Sequence, residues 1–289
     1  MTKFSVVEGN AQWLDGGAMF GNCPRVLWEK WMSPDDQGRV RLACNAFLIE
    51  DGRKKILLET GIGAFFEPKL ADRFGVENYP NHQLLSSLEA LDVSHEDIDY
   101  VILSHLHFDH AGGLLSSYNR DHPRPELLFP RAKFVVGRKA YERSKKPHSR
   151  DRASFIPELV KLLDESERLI FVESDCCEEL GEEFSFVQSD GHTPGQLHTL
   201  YSYSSGKVFF AGDLIPGKPW IHLPITMGYD RFPELLIDEK QKVLETATKE
   251  DWLLFFTHDP NTPACKIGRN DKGKYMSKED FSHFTRRAF

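Results

Sequence analysis

The stretch SHLHFDHAGG, residues 104–113, places three histidines and an aspartate within six positions: His105, His107, Asp109 and His110. It directly follows the apolar run DYVIL, which is typical of a buried β-strand. Alternate side chains of an extended segment point to the same side, so His105 and His107 can bind one metal ion. The chain then turns into AGG, whose glycines permit a tight backbone. Asp109 and His110 can therefore swing towards a second ion.

Three further candidate ligands each follow a predicted strand. His192 lies in the turn SDGHTPG after EFSFVQ, Asp213 ends the run FFAGD, and His258 follows the run LLFFT. Loops at strand ends often carry metal-binding and catalytic residues on a rigid sheet. Imidazole and carboxylate groups without thiolates suit a catalytic zinc-type site better than a closed, cysteine-rich structural one. Together the seven residues predict a centre that binds two metal ions.

The remaining histidines do not share this setting clearly. Five of them are predicted to be surface residues: His82, His95, His122, His148 and His283. The pattern leaves His198 and His222 undecided, because either could approach the metal pocket.

Strand and helix patterns alternate along both halves of the chain. The runs VRLACNAFLIE and KKILLET predict strands joined by a hairpin turn at DGRK, and NHQLLSSLEALD predicts a helix with Asn81 as its N-cap. Predicted strands outnumber helices and combine hairpins with crossovers, which favours an α+β or mixed α/β class. We predict a single domain over residues 1–289, with an aromatic-rich arm at 1–40 near the active-site mouth and a terminal hairpin and tail at 262–289.

The bulk composition argues against two classes of protein. A net charge of −8 disfavours a nucleic-acid binder that acts through a broad basic surface. The N-terminal stretch MTKFSVVEGNAQWLDGG lacks the pattern of a signal peptide, and no apolar run approaches the roughly 20 residues of a membrane span. The five cysteines are scattered and odd in number, which is typical of free thiols in a reducing compartment. We therefore predict a cytoplasmic protein with no nucleic-acid partner and no membrane segment.

The motifs SHLHFDHAGG, DGHTPG, FFAGD and FFTHDP, in this order, make the chain resemble the metallo-β-lactamase-fold hydrolase superfamily. The upstream stretch LLETGIG extends the resemblance, with Glu59 at a place that members often fill with aspartate. The likeness covers about residues 40 to 260. It implies a four-layer αββα sandwich that holds two metal ions on one edge between its sheets.

The resemblance also implies how the ligands are shared between the ions. The first ion would be held by His105, His107 and His192, the second by Asp109, His110 and His258, and Asp213 would bridge the two. The sequence departs from the family at Gln196, where members often carry a histidine that is not normally a ligand. Zinc is the favoured metal, with iron or manganese as alternatives, because histidine and carboxylate ligands accept all three.

Such a pair of cations implies a hydrolytic mechanism. A metal-bridging hydroxide is expected to attack the substrate, since two nearby cations lower the pKa of a shared water to about 7. Asp109 would be both a ligand and the carboxyl group nearest the nucleophile. We therefore predict that it also carries the proton to the leaving group.

The choice of substrate follows by elimination within the superfamily. Asp213 and the missing export signal disfavour a true β-lactamase, and the short tail disfavours a glutathione thioesterase. The lactonase and organophosphate-hydrolase branch remains, so a lactone or related carboxylic ester is the expected small-molecule substrate. Acyl-homoserine lactonases usually carry a tyrosine shortly after the bridging aspartate, and DLIPGKPW has none. The alternatives are a phosphotriester or thioester hydrolase and, in another class, a non-hydrolytic di-iron redox or metal-binding protein.

Aromatic residues of the N-terminal arm have two interpretations. Phe20, Trp28 and Trp31, with KPWIH after Asp213, either wall an apolar substrate pocket or belong to the core. An exposed aromatic arm also favours a homodimer.

Overall fold

The structure, a computed structural model, describes residues 2–52 and 54–289. The chain divides into two compact units. The first unit combines Met1–Gln12, Ala43–Glu173 and Phe284–Ala288, and the second combines Trp13–Leu42, Ser174–His283 and Phe289. None of the helices in the described ranges has the length and the apolar content that a bilayer-spanning helix needs.

Strands and helices of both units are numbered in chain order. The strands are β1 Lys3–Glu8, β2 Gln12–Asp15, β3 Arg39–Leu42, β4 Asn45–Asp51, β5 Lys54–Leu58, β6 Tyr100–Leu103, β7 Lys133–Gly137, β8 Leu169–Val172, β9 Phe184–Ser189, β10 Gln196–Tyr203, β11 Gly206–Phe210, β12 Leu253–Phe255, β13 Ala264–Arg269 and β14 Tyr275–Phe281. The α-helices are α1 Gly16–Phe20, α2 Arg25–Trp28, α3 Pro68–Arg73, α4 Gln83–Glu89, α5 Phe108–Ala111, α6 Arg138–Lys145, α7 Pro157–Ser166 and α8 Pro233–Glu250. Short 3₁₀ turns span His95–Asp97, Gly112–Leu114, Arg152–Ser154, Gly212–Leu214 and Lys218–Ile221.

The first unit contains a six-stranded sheet in the order β1-β4-β5-β6-β7-β8. The pairs β1–β4 and β4–β5 are antiparallel, whereas β5 to β8 run parallel to one another. The predicted hairpin β4–β5 is therefore present, although its turn at DGRK includes Arg53, which lies outside the described residues. Because β5 and β6 are parallel, the residues that follow them, Glu59 and Ser104, emerge at the same sheet edge.

Helix α4 covers the sheet of the first unit with an apolar face. Leu84 and Leu88, one turn apart, are fully buried and belong to the same core as the strand residues Val101 and Leu103. The N-cap position is His82, so the prediction of Asn81 was wrong by one residue. This packing anchors the carboxyl end of β6, where the histidine motif begins.

The second unit contains a six-stranded sheet in the order β14-β13-β12-β11-β10-β9, and β2 pairs with β3 in a separate two-stranded sheet. Strands β11 and β12 are parallel, and the remaining neighbours in the large sheet are antiparallel. Strand β9 is antiparallel to β10, which is antiparallel to β11, so β9, β11 and β12 all point the same way. Their carboxyl ends therefore share one edge of the sheet, and the loops after them carry His192, Asp213 and His258.

The aromatic arm contributes to the core of the second unit. Phe20 stacks on Trp28 at a ring-centroid distance of 5.5 Å and on Trp220 at 4.6 Å, and all three side chains are buried. The Trp220 indole N–H donates a hydrogen bond to the Met19 carbonyl. Trp31 is partly exposed and stacks on His222. Of the two interpretations, the core is correct for Phe20, Trp28 and Trp220.

Candidate metal centre

The histidine motif of the first unit leaves β6 and enters the single turn of α5. The His105 Nε2 and His107 Nδ1 atoms lie 2.9 Å apart, and both side chains are buried. Helix α5 then places Asp109 Oδ1 3.8 Å from His110 Nε2. The four predicted residues of this unit thus form two adjacent pairs of donor atoms, as expected from the turn of the chain after His107.

Glu59 determines which ring nitrogen is protonated on two of these histidines. The fully buried carboxylate accepts hydrogen bonds from the Ser104 hydroxyl and from His110 Nδ1 at 2.9 Å. Since the single Ser104 proton points to Glu59, the Ser104 oxygen accepts from His105 Nδ1, also at 2.9 Å. These contacts favour the tautomer of His105 and His110 that is protonated at Nδ1, which would leave a lone pair on each Nε2 for a metal ion.

The backbone of Glu59 is adapted to this role. Its φ of +63° lies in the left-handed region, which non-glycine residues rarely adopt. Such conformations concentrate at functional sites. The donor atoms of Glu59, His105 and His110 lie within 4.8 Å of one another. The sequence placed Glu59 in a family motif, but its contacts with two ligands could not be predicted from it.

Gln12 fixes the carboxylate of Asp109. Its Nε2 donates a hydrogen bond of 2.8 Å to Asp109 Oδ2, and the Gln12 side chain is fully buried. Because Oδ2 is held there, Oδ1 is the oxygen that faces the His110 ring. Gln12 precedes Asp109 by 97 positions, and no pattern in the sequence pointed to it.

The glycines after His110 are required by close backbone contacts. A Cβ atom on Gly113 would lie 2.1 Å from the Thr60 carbonyl oxygen, and one on Gly112 would lie 2.4 Å from the Ile62 carbonyl oxygen. The Gly113 N–H donates to the Gly61 carbonyl in the same contact. The predicted tight backbone is thus a direct apposition of the motif on the loop that follows Glu59.

The three predicted ligands of the second unit meet at Asp213. Its Oδ2 lies 3.1 Å from His192 Nε2, and its Oδ1 lies 3.4 Å from His258 Nε2. All three side chains are buried. Each carboxylate oxygen therefore faces a different histidine, which is the arrangement expected of a carboxylate shared between two ions.

A second buried carboxylate, which the sequence analysis missed, supports His192. Asp230 Oδ1 lies 2.8 Å from His192 Nδ1, on the side of the ring away from Asp213. Asp230 is almost fully buried. Asp230 lies in the loop MGYDRF before α8 and does not follow a predicted strand. The strand-end pattern that identified the other residues therefore could not identify it.

The surroundings of three other histidines show where their side chains lie. His198 is fully buried and bonded to the Ser189 hydroxyl, and burial lowers its pKa to about 4, as for a neutral core residue. His222 stacks on Trp31, and burial together with Lys274 and Lys240 lowers its pKa. The prediction that His82 lies on the surface was wrong, because it is buried with Nε2 at 3.1 Å from the Gly113 carbonyl oxygen.

The family model of the Metallo-beta-lactamase superfamily matches residues 39–258. The chain belongs to the metallo-beta-lactamase superfamily. It is 25% identical over 236 residues to the N-acyl homoserine lactonase AiiA of Bacillus thuringiensis subsp. kurstaki, a match that covers 76% of this chain and 83% of the relative. An N-acyl homoserine lactonase of Bacillus sp shows the same identity and coverage.

Solved structures with the same fold include two hydrolases. A probable metal-dependent hydrolase from Staphylococcus aureus aligns with a TM-score of 0.83 and 24% identity, covering 97% of this chain and 98% of the other. AidC, a dizinc quorum-quenching lactonase, aligns with a TM-score of 0.76 and 20% identity over 97% and 95% of the two chains. The predicted metallo-β-lactamase fold of mixed α/β class is confirmed, and one sheet with helices in each unit is consistent with the αββα sandwich. The prediction of a metal-dependent hydrolase is also confirmed.

The residues of each unit fit the metal ions that the superfamily implies. Imidazole nitrogens and carboxylate oxygens are donors that zinc, iron and manganese accept. Glu59 and Asp230 lie beside the outer nitrogens of His110 and His192, as carboxylate partners of metal-binding histidines usually do. The chain thus carries a histidine and aspartate cluster able to hold metal. Gln196 occupies the position at which family members often carry a histidine. Its side chain is fully buried at the start of β10.

Proposed function

We propose that the chain is a dinuclear metal-dependent hydrolase that opens a lactone or a related carboxylic ester. The observation that carries the proposal is the placement of Asp213, whose two oxygens each face a different histidine at 3.1 and 3.4 Å. A carboxylate in that arrangement is suited to bridge two ions. The N-acyl homoserine lactonases among the relatives support the choice of a lactone.

The proposed ligand sets are those that the superfamily implies. One ion would be held by His105, His107 and His192, the other by Asp109, His110 and His258, with one oxygen of Asp213 for each. Every ion would then have four protein donors. The lone pairs left on Nε2 of His105 and His110 support this assignment.

Two divalent ions at these positions supply, when bound, a water molecule that loses a proton at about pH 7. Asp109 is proposed to deliver that proton to the leaving oxygen of the substrate. Its side chain is 13% exposed, whereas the other six ligands are buried, so it is the ligand that a substrate can approach. The hydrogen bond from Gln12 keeps the carboxylate in one orientation during the transfer.

The first unit provides an apolar surface beside Asp109. Phe108, the residue before it, packs on Phe66 and Phe74 with ring centroids 5.6 and 4.6 Å apart. Phe65 and Ile62 complete this cluster, whose phenylalanines are partly or nearly fully buried. We propose that the cluster receives an apolar acyl or alkyl part of the substrate, since such sites combine aromatic walls with few polar anchors.

A substrate screen on the purified protein tests the proposal. The protein is stripped of metal, reloaded with zinc, iron or manganese, and assayed against lactones, aryl phosphotriesters and thioesters, with metal content measured on the same samples. Two ions per chain and fastest turnover of lactones are expected. Faster turnover of a phosphotriester or thioester would refute the lactone as substrate and identify that compound class instead. Two bound iron ions with reversible redox chemistry and no hydrolysis would refute a hydrolase and indicate a di-iron redox protein.

We also propose that the chain forms a homodimer through the exposed part of its aromatic arm. Val26, Leu27 and Trp31 of the second unit are 64%, 44% and 37% exposed, which is high for large apolar side chains close in sequence. Light scattering during gel filtration measures the mass directly. The double variant Val26→Glu, Leu27→Glu is expected to be a monomer, and an unchanged mass for it would refute this interface.

The cytoplasmic location also stays a proposal. All five cysteines are free thiols, three of them buried, as expected in a reducing compartment. Fractionation of cells that express the tagged chain tests it, and recovery from an oxidising compartment would contradict it.

A further inference from the structure

The buried carboxylate of Asp230 is the starting point, because the hydrolytic reaction proposed above has no direct use for it. It touches none of the atoms expected to react, yet it is 1% exposed and its two oxygens both accept hydrogen bonds. Oδ1 accepts from His192 Nδ1 at 2.8 Å, and Oδ2 accepts from the Met227 N–H at 2.6 Å. A buried carboxylate is costly unless its partners are specific, so this placement needs a reason.

The loop that carries Asp230 is held by several contacts that do not involve the His192 ring. The buried Lys240 ammonium donates to the Ile225 carbonyl at 2.6 Å and also to the carbonyls of Trp220 and His222. The Gly228 N–H donates to the Ala18 carbonyl at 2.8 Å. With the Met227 N–H bound to the carboxylate itself, these contacts fix the chain before Asp230. After Asp230, the Arg231 N–H donates to the His192 carbonyl at 3.2 Å and the Phe232 N–H donates to the Gly191 carbonyl at 2.8 Å. Backbone and lysine contacts therefore hold the carboxylate beside the His192 ring, in addition to its bond with the imidazole.

The His192 ring lies between two carboxylates. Asp230 is on its Nδ1 side and Asp213 Oδ2 is 3.1 Å from its Nε2. An imidazole can present a lone pair to a metal ion at Nε2 only when Nδ1 carries the proton. A fixed acceptor at Nδ1 selects that tautomer before a metal ion arrives, and it makes the ring a stronger ligand.

We propose that Asp230 is a positioning residue for the metal centre: it holds His192 protonated at Nδ1 so that Nε2 is available to the first ion. The inference rests on the proposed metal centre and extends it to a residue outside the seven ligands. It also explains why the loop before α8 carries a buried acid where a small neutral residue would pack without a desolvation cost.

Lys240 offers a control for a purely structural role of this loop. The variant Lys240→Met removes the ammonium that anchors Ile225 and its coulombic attraction to Asp230, but it keeps both hydrogen-bond partners of the Asp230 carboxylate. If Asp230 served only to stabilise the loop, Lys240→Met and Asp230→Ala would have similar effects on metal binding. If it acts on His192, only the Asp230 variants should weaken metal binding.

The experiment measures zinc affinity of the metal-free full-length protein by competition with a chromogenic chelator, together with the thermal midpoint. Asp230→Ala is expected to bind the first zinc ion about 10- to 100-fold more weakly, and the nearly isosteric Asp230→Asn, which keeps one acceptor, is expected to lose less. Lys240→Met should have a lower thermal midpoint and a zinc affinity within about threefold of the wild type, since no ligand partner is removed.

A spectroscopic measurement on the wild type avoids any dependence on the folding of variants. Nitrogen NMR of the His192 ring in the metal-free protein should show a protonated Nδ1 and an unprotonated Nε2. Protonation at Nε2 overturns the proposal, and so does wild-type zinc affinity in Asp230→Ala or an equal loss in Lys240→Met. A wild type that binds zinc without hydrolysing esters refutes the proposed reaction but leaves this test intact, whereas a wild type that binds no metal refutes both.

Discussion

The two units arrange their candidate metal ligands in different ways. The first has four candidate ligands in one segment of six residues, His105 to His110, at the end of a single strand. The second provides three ligands that are 21 and 45 positions apart, each after a different strand, since His192, Asp213 and His258 follow β9, β11 and β12. The first set is arranged by local chain geometry, whereas the second depends on the order and direction of strands.

The supporting contacts show the same contrast. In the first unit one carboxylate, Glu59, reaches two ligands, His110 directly and His105 through Ser104. In the second unit Asp230 reaches one ligand, His192, from a separate loop. Neighbouring histidines of the first unit thus share one carboxylate, whereas the carboxylate of the second unit supports His192 alone. The predictions below test this difference, starting with the largest expected effect.

Replacement of the exposed ligand of the first unit should have the largest effect on catalysis. Asp109→Asn keeps a metal-binding oxygen but cannot carry a proton, so kcat is expected to fall by about 10²- to 10⁴-fold with metal content unchanged. Steady-state kinetics and metal analysis of the same preparation measure this. Asp72→Asn, the same change at an exposed position of α3, should leave kcat unchanged. A near-normal rate for Asp109→Asn would refute the proton-transfer role.

Loss of the shared partner in the first unit should weaken metal binding more than loss of the single partner in the second. Glu59→Gln disturbs the hydrogen bonds to both Ser104 and His110, and partners of this kind contribute about 10- to 100-fold each to metal affinity. We therefore expect a larger rise in the zinc dissociation constant for Glu59→Gln than for Asp230→Asn. Chelator competition on both variants gives the ratio, and equal losses would contradict the shared role of Glu59.

A methyl group at the motif of the first unit should destabilise the fold. Gly113→Ala places its Cβ 2.1 Å from the Thr60 carbonyl oxygen, so the backbone must shift at a cost of about 1–3 kcal/mol. Gly268→Ala in β13 of the second unit is the control, because its nearest contact is an ordinary 3.4 Å. Urea unfolding of both variants measures the difference in free energy of unfolding, and similar values would show that the Thr60 loop yields easily.

The second unit should show a pH dependence that originates at Lys240. Burial lowers the pKa of this lysine from its usual 10.5 to about 7. Between pH 7 and 10.5 the unfolded chain therefore holds a proton that the folded chain lacks. The free energy of unfolding of the wild type relative to Lys240→Met should therefore rise by about 1.4 kcal/mol between pH 7.5 and 8.5. Denaturant titrations at the two pH values measure it. A constant difference would mean that the three carbonyl partners keep Lys240 charged in the folded protein.

Several features of the centre followed from residue patterns alone. An apolar run followed by histidines at alternate positions placed His105 and His107 on one side, and the chain has their ring nitrogens 2.9 Å apart. The expectation that functional residues follow the ends of strands identified His192, Asp213 and His258. In the structure both histidines contact the Asp213 carboxylate. The combination of the seven ligands into one centre stays a proposal, which the metal analysis above tests.

Other features left no pattern in the sequence. Gln12, Glu59 and Asp230 contact ligands that are 97, 51 and 38 positions away. A buried glutamine or aspartate has the same local sequence whether its partner is a metal ligand or a backbone amide. His82 is an example of a wrong prediction of exposure. No helix or strand pattern includes it, so the sequence predicts a surface residue, but its side chain is buried against Gly113.

The sequence by itself determined which residues are candidate ligands and in what order they occur, because strand periodicity and turn residues act over a few positions. The tertiary structure alone decided which carboxylates and amides lie behind those candidate ligands, and that Phe20 and Trp28 of the aromatic arm belong to the core while Trp31 is partly exposed. These depend on contacts between segments distant along the chain. Their energy comes from burial and from hydrogen bonds that exist only once the sheets have formed.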